Sequence, residues 1–166
     1  MYTETEDVAF LAVKINFLLG LRVGELAALK WEDCKDLSHL HIVHEEVRNQ
    51  ETNQHEIIEH TKTNRDGFVI LIPKAISILK KIPKQGKYIF MRDGERITSR
   101  QIAYVLEKFA ERRKMRKTYA SNLNANGVPL DCIREMLGHS NLSTPLEYIY
   151  NPLTEKETYD LISKAL

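Results

Sequence analysis

The sequence predicts an α+β fold, mainly helical, with one small antiparallel sheet of about three strands. Three observations lead there. Apolar residues recur at three- and four-residue spacing over several stretches. A β-rich run, Phe68-Val69-Ile70-Leu71-Ile72, follows the turn signal Asn64-Arg65-Asp66-Gly67. Prolines or capping residues open several of the periodic stretches. At 166 residues, 43% hydrophobic and 28% charged, the chain is too apolar to stay disordered, and residues 1–166 read as a single domain.

Taken in order, Asp7 to Leu19 places Val8, Leu11, Ile15, Leu18 and Leu19 on one face of an amphipathic helix. Gly20 interrupts it, Leu21 to Gly24 reads as a tight turn, and Glu25 to Trp31 forms a short second helix. The strand pattern spans Leu40 to Val47, His55 to Thr61 and Phe68 to Ile72, with a polar turn at Asn49 to Asn53. Pro73 opens a helix whose buried stripe is Ile76, Leu79 and Ile82. Tyr88-Ile89-Phe90 is a short buried segment, and Thr98 or Ser99 caps a helix running through Phe109. Met115 to Asn124 is helical up to Asn126-Gly127, where glycine suits a left-handed cap. Pro129 begins a helix with Ile133, Met136 and Leu137, stopped by Gly138, and Leu146 to Tyr150 is a helical turn. Thr154 with Glu157 forms a capping box before a last helix, 154–166.

Charge narrows the choice of partner. Lys+Arg 24 against Asp+Glu 23 leaves a net charge of +1, so a polyanion site has to be a local patch. Cys34 and Cys132 stand without companions at short spacing, which excludes a disulfide framework and a cysteine zinc site and suits two buried thiols in a reducing cytoplasm. No apolar run approaches ~18 residues, so no membrane span is expected, and the acidic start argues against a signal peptide.

Five polar residues stand beside glycines or turns, where a side chain can face a ligand: Arg22, Lys62, Arg116, His139 and Tyr148. Singly, each has a plain explanation. Arg22 could pair with Glu25 at a helix terminus, Lys62 could be a solvated hairpin lysine, and His139 could sit against a helix dipole. Tyr148 could belong to the core. Together they suit metal-free attack on a phosphodiester. Arginine forks bind non-bridging oxygens and offset transition-state charge. Lysine can protonate a leaving alkoxide, histidine can donate to phosphate, and tyrosine can be the nucleophile.

The local sequences and their order resemble the tyrosine recombinase (phage integrase) family. The pieces are Gly20-Leu21-Arg22-Val23-Gly24-Glu25-Leu26, Thr61-Lys62-Thr63, Arg116-Lys117-Thr118-Tyr119-Ala120, and Leu137-Gly138-His139-Ser140 with Tyr148 nine positions after His139. The ending Tyr148-Ile149-Tyr150-Asn151-Pro152 is most similar to integrases of conjugative transposons and phages. The resemblance implies a tyrosine-recombinase catalytic-domain-like fold and a site-specific recombinase acting on double-stranded DNA. Arg22 and Arg116 would hold the scissile phosphate, with Glu25 in support; Lys62 would be the general acid and His139 would assist. Tyr148 would form a 3′-phosphotyrosyl link, with Tyr150 as rival nucleophile. It further implies no metal or other cofactor, a tetramer on DNA, docking of helix 154–166 on a neighbour, a cytoplasmic setting in a bacterium or phage, and a DNA-clamping domain N-terminal to this chain.

One motif departs from the family. The His-x-x-Arg tetrad is here Arg113-Lys114-Met115-Arg116, so Arg113 stands where the family has histidine, after an unusually short approach from Glu107. A segment carrying the histidine is therefore expected to be missing from, or deleted in, this chain. The departure keeps two alternatives open: a catalytically impaired DNA-binding module of the same fold, or a type IB topoisomerase-like DNA relaxase. His39, His41, His44, His55 and His60 lack a completing carboxylate pair and read as solvated or DNA-facing, not as metal ligands.

Overall fold

The computed structural model describes residues 7–34, 37–59, 67–109 and 114–137, together with Ser163. Helix α1 (Val8–Leu19) starts at Asp7, whose carboxylate accepts from Ala9 N at 2.7 Å, and stops at Gly20 in the left-handed conformation, φ 68°. Its sequence is apolar almost all round, VAFLAVKINFLL, and it buries Ala9, Leu11, Ala12, Val13, Ile15, Asn16 and Leu19. It is thus a central helix where one apolar stripe was expected, with Lys14 on its exposed side.

Helix α2 (Val23–Ala28) begins two residues earlier than its apolar pattern suggests, because Arg22 serves as N-cap, and a 3₁₀ turn, Trp31–Asp33, follows it. The β region divides more finely than one three-stranded sheet. The expected first strand breaks at Val43 into β1 (His39–Ile42) and β2 (His44–Arg48). β2 pairs antiparallel with β3 (His55–Glu59), and β1 pairs antiparallel with β4 (Gly67–Ile70), in register Leu40 with Val69. Each half of the 39–48 run thus has its own partner. A further hairpin, β5 (Met91–Arg92) with β6 (Glu95–Arg96), turns through Asp93 and Gly94, both at positive φ.

Helix α3 (Pro73–Leu79) has proline in its first turn, as expected, and buries Ala75, Ile78 and Leu79. Helix α4 (Ser99–Phe109) buries Ile102 and Leu106 against α1. These meet Leu26, Leu40, Val69, Ile89, Phe90 and Ile97 in one core, where each large side chain contributes about 1.5–3 kcal/mol on burial. Helices α5 (Lys114–Ala125) and α6 (Leu130–Met136) enclose a smaller cluster of Tyr119, Ala120, Ile133 and Leu137. Gly127 between them is at φ 79°, the left-handed conformation anticipated there. The cysteines differ from expectation in one respect: Cys34 is buried but Cys132, on α6, is exposed. No helix among the described residues is long and apolar enough to cross a membrane. The expected turn 146–150 lies outside the described residues, as does helix 154–166 apart from Ser163, which is helical.

Candidate active site

The site begins with a turn. Asn16, wholly buried in an apolar stretch, reaches past the end of α1: its Nδ2 donates to Leu21 O at 3.0 Å and its Oδ1 accepts from Leu21 N at 2.9 Å. Both polar groups of Leu21 are thereby satisfied, and the chain is held in the bend that delivers Arg22 to the start of α2. Nothing in the helical periodicity marks Asn16; its signal is a lone amide among apolar residues four positions before a glycine.

Gly20 has two structural duties. Its φ of 68° suits glycine, and the ring of Tyr119 lies over it so closely that a Cβ would stand 2.3 Å from Tyr119 Cδ1. Burial pushes the Tyr119 phenol up to about 12, with the nearby Arg116 charge pulling weakly the other way.

Two arginines from opposite ends of the chain converge on Glu25. Arg22 Nη1 lies 2.6 Å from Glu25 Oε1, and Glu25 Oε2 accepts from Arg22 N at 2.8 Å. Arg116 Nη1 lies 3.8 Å from Glu25 Oε2, donates to Gly20 O at 2.9 Å, and Arg116 Nη2 donates to Leu137 O. The Glu25 side chain is 6% exposed and that of Arg116 14%, whereas Arg22 is 47% exposed. The helix-terminus ion pair Arg22–Glu25 is therefore real, and Arg116 makes it part of a larger group. Among the described residues, two guanidinium charges meet one carboxylate, and half-exposed Arg22 opens the cluster to an anion from solvent.

A family model described as "Phage integrase family" matches residues 3–156. The chain belongs to the phage integrase family. Among curated relatives, a tyrosine recombinase XerC from Thermodesulfovibrio yellowstonii is 30% identical over 96% of this chain and 55% of its own length. A tyrosine recombinase XerA from Thermococcus kodakarensis is 29% identical over 93% of this chain and 54% of its own. The chain spans about half the length of the curated relatives it matches. The fold is that of the Tn1549 transposon integrase, solved with transposon right end DNA, at TM-score 0.71 and 17% identity over 93% of this chain and 58% of that one. XerA recombinase shares it at TM-score 0.67 and 19% identity, over 95% and 56%.

Of the site residues that the phage integrase resemblance implies, Arg22, Glu25 and Arg116 are brought together here. Lys62, Arg113, His139, Tyr148 and the rival Tyr150 lie outside the described residues, as does His60. The main-chain anchor of Arg116, Leu137 O, stands two residues before His139 in sequence. Among the described residues no three His, Cys, Asp or Glu side chains converge as metal ligands. His44 instead places Nε2 2.6 Å from the buried Lys30 Nζ, and His55 places Nδ1 2.8 Å from Glu46 Oε1.

Proposed function

We propose that this chain is the catalytic domain, 1–166, of a site-specific DNA recombinase that cuts and rejoins double-stranded DNA through a tyrosine. The convergence of Arg22 and Arg116 on one buried carboxylate carries the reading. Such a pair, oriented by Glu25 and two main-chain carbonyls, suits the non-bridging oxygens of a scissile phosphate and opposes the charge of its pentacovalent transition state. Tyr148 attacks phosphorus, the bond to the 5′ oxygen breaks, and Lys62 gives that oxygen its proton. His139 assists at the phosphate. The resulting 3′-phosphotyrosyl ester is resolved by the 5′-hydroxyl of a second strand. No metal or nucleotide is required by this chemistry, which conserves the phosphodiester energy in the ester.

The DNA-bound Tn1549 integrase supports a DNA partner for the shared fold. The proposal extends to a tetramer on DNA, with helix 154–166 docking on a neighbour, working in the cytoplasm beside a separate DNA-clamping domain. Arg113 favours a second reading, an impaired DNA-binding module, because an arginine cannot supply the proton transfer of a neutral imidazole.

A nicked suicide duplex tests both. Covalent capture that persists in chelator and disappears in Tyr148→Phe supports the catalytic reading; no capture by the unaltered chain overturns it in favour of the binding module. Strand exchange between two duplexes then separates recombination from simple relaxation.

A further inference from the structure

Glu46 occupies the buried position of β2, on a strand whose other residues are at least partly exposed. Its side chain has no exposed surface, yet it meets three other elements. Oε1 accepts from Ser99 N at 2.9 Å and Ser99 Oγ at 2.6 Å, at the start of α4, and lies 2.8 Å from His55 Nδ1 on β3. Oε2 accepts from Arg96 Nη1 on β6. Burial by itself would raise this carboxyl, but the bonds from Ser99 and Arg96 outweigh it and hold the group below its ordinary value. An apolar side chain would fill such a place with less desolvation, so the carboxylate has to be explained by what it fixes.

The main chain of the same residue meets the active site. A Cβ on Gly24 would stand 2.6 Å from Glu46 O, so the first turn of α2 rests directly on residue 46. Gly24 lies between Arg22 and Glu25. Strand residue 46 is thus held by its side chain to β6 and α4, with His55 of β3 beside it, and by its carbonyl it forms the bed of the helical turn that presents Arg22.

We propose that Glu46 is a positioning residue for phosphate binding: its clamp on Ser99 and Arg96 fixes the bed under Gly24 and so the reach of Arg22 and Glu25 toward the scissile phosphate. This rests on the reading of Arg22 and Arg116 as phosphate ligands. Glu46→Gln keeps an acceptor for Ser99 but loses the charge facing Arg96, and α2 then loses its fixed seat.

The test compares capture of a nicked suicide duplex, enriched by this protein from a randomised library, in two forms. One has the ordinary scissile phosphate. The other has a methylphosphonate, in which a methyl group replaces one non-bridging oxygen and removes the charge that the arginines offset. Glu46→Gln slows capture of the phosphate about 100-fold, the scale of a small misplacement of a binding group, and the methylphosphonate brings variant and parent rates close together. Arg22→Ala follows the same pattern. Ser99→Ala, which removes the hydroxyl donor, keeps the main-chain one and unpairs no charge, shows a smaller loss with the same relief and carries the test if Glu46→Gln does not fold. Equal slowing of Glu46→Gln or Ser99→Ala on both duplexes, with Arg22→Ala relieved, makes the clamp merely structural and overturns the proposal, as does an undiminished rate in both. If Arg22→Ala itself is not relieved, the phosphate-ligand reading falls and the proposal falls with it.

Discussion

Arg116 donates to the carbonyl of Gly20 at 2.9 Å, joining helix α5 to the turn that ends α1. The bond orients a guanidinium from late in the chain toward a carboxylate, Glu25, from its beginning. Because Tyr119 lies over the same glycine, α5 is gripped at two points one helical turn apart, and the arginine pair is set by packing and hydrogen bonds within the chain.

Glu25→Gln should expose how much of that order depends on charge. The amide keeps the shape but leaves Arg116, 14% exposed, without the charge of Glu25. About 1–3 kcal/mol of stability should be lost, read from the urea midpoint. Capture of a suicide duplex should fall about 10- to 100-fold. Arg22→Gln should differ in kind: little change in stability, since Arg22 is half-exposed, but a salt dependence of DNA binding shallower by about one unit. Equal stability losses in the two variants would contradict the geometry.

Gly20→Ala should be severe for the addition of one methyl group, because Gly20 is buried. A Cβ 2.3 Å from Tyr119 Cδ1 demands that α5 move, and φ 68° adds backbone strain. The expected cost is about 2–4 kcal/mol, measured by denaturant unfolding. Pairing it with Tyr119→Ala relieves the clash but not the strain, so the double variant should be clearly less destabilised than the two single losses added.

How far the sequence could be read follows from where its physics is local. The helix starts at Asp7, Pro73 and Pro129 and the glycine stops at Gly20 and Gly127 are nearest-neighbour effects, and the structure shows each. Arg22, Glu25 and Arg116 were legible through their motifs. The residues that support them were not. Glu46 sits in His44-Glu45-Glu46-Val47, where one glutamate is half-exposed and the next wholly buried, and only the tertiary partners Ser99 and Arg96 decide which. Ile57-Ile58 is ambiguous in the same way: neighbours on a strand face opposite ways, and Ile58 is the one left 44% exposed. The Asp93-Gly94 turn did carry a hairpin signal, but its two-residue strands are too short to show alternation.

Asn16→Ala should loosen the site from beneath. It leaves the buried N–H and C=O of Leu21 without the amide that satisfies both, at a cost of about 2–3 kcal/mol in thermal or chemical unfolding. Asn16→Asp should be no rescue, because a carboxylate accepts from Leu21 N but cannot donate to Leu21 O, and it brings a charge into a fully buried place. Retained native stability in either variant would remove Asn16 from the account of how Arg22 is placed.

Tyr119 should titrate late and stay out of the chemistry. Its phenol is pushed by burial from 10.0 to about 12, so the folded state holds the proton more tightly than the unfolded chain. The stabilisation is fully present below pH 10, where both states are protonated, and is lost as pH rises toward 12, because the unfolded chain ionises first. A shift of this size corresponds to about 2–3 kcal/mol between those limits. Tyr119→Phe, which cannot ionise, should flatten the alkaline limb of a stability-versus-pH curve while leaving suicide-duplex capture at neutral pH intact. Ultraviolet titration of tyrosinate should show one group ionising only as the protein unfolds. Loss of capture in Tyr119→Phe would instead make this tyrosine a participant in strand cleavage.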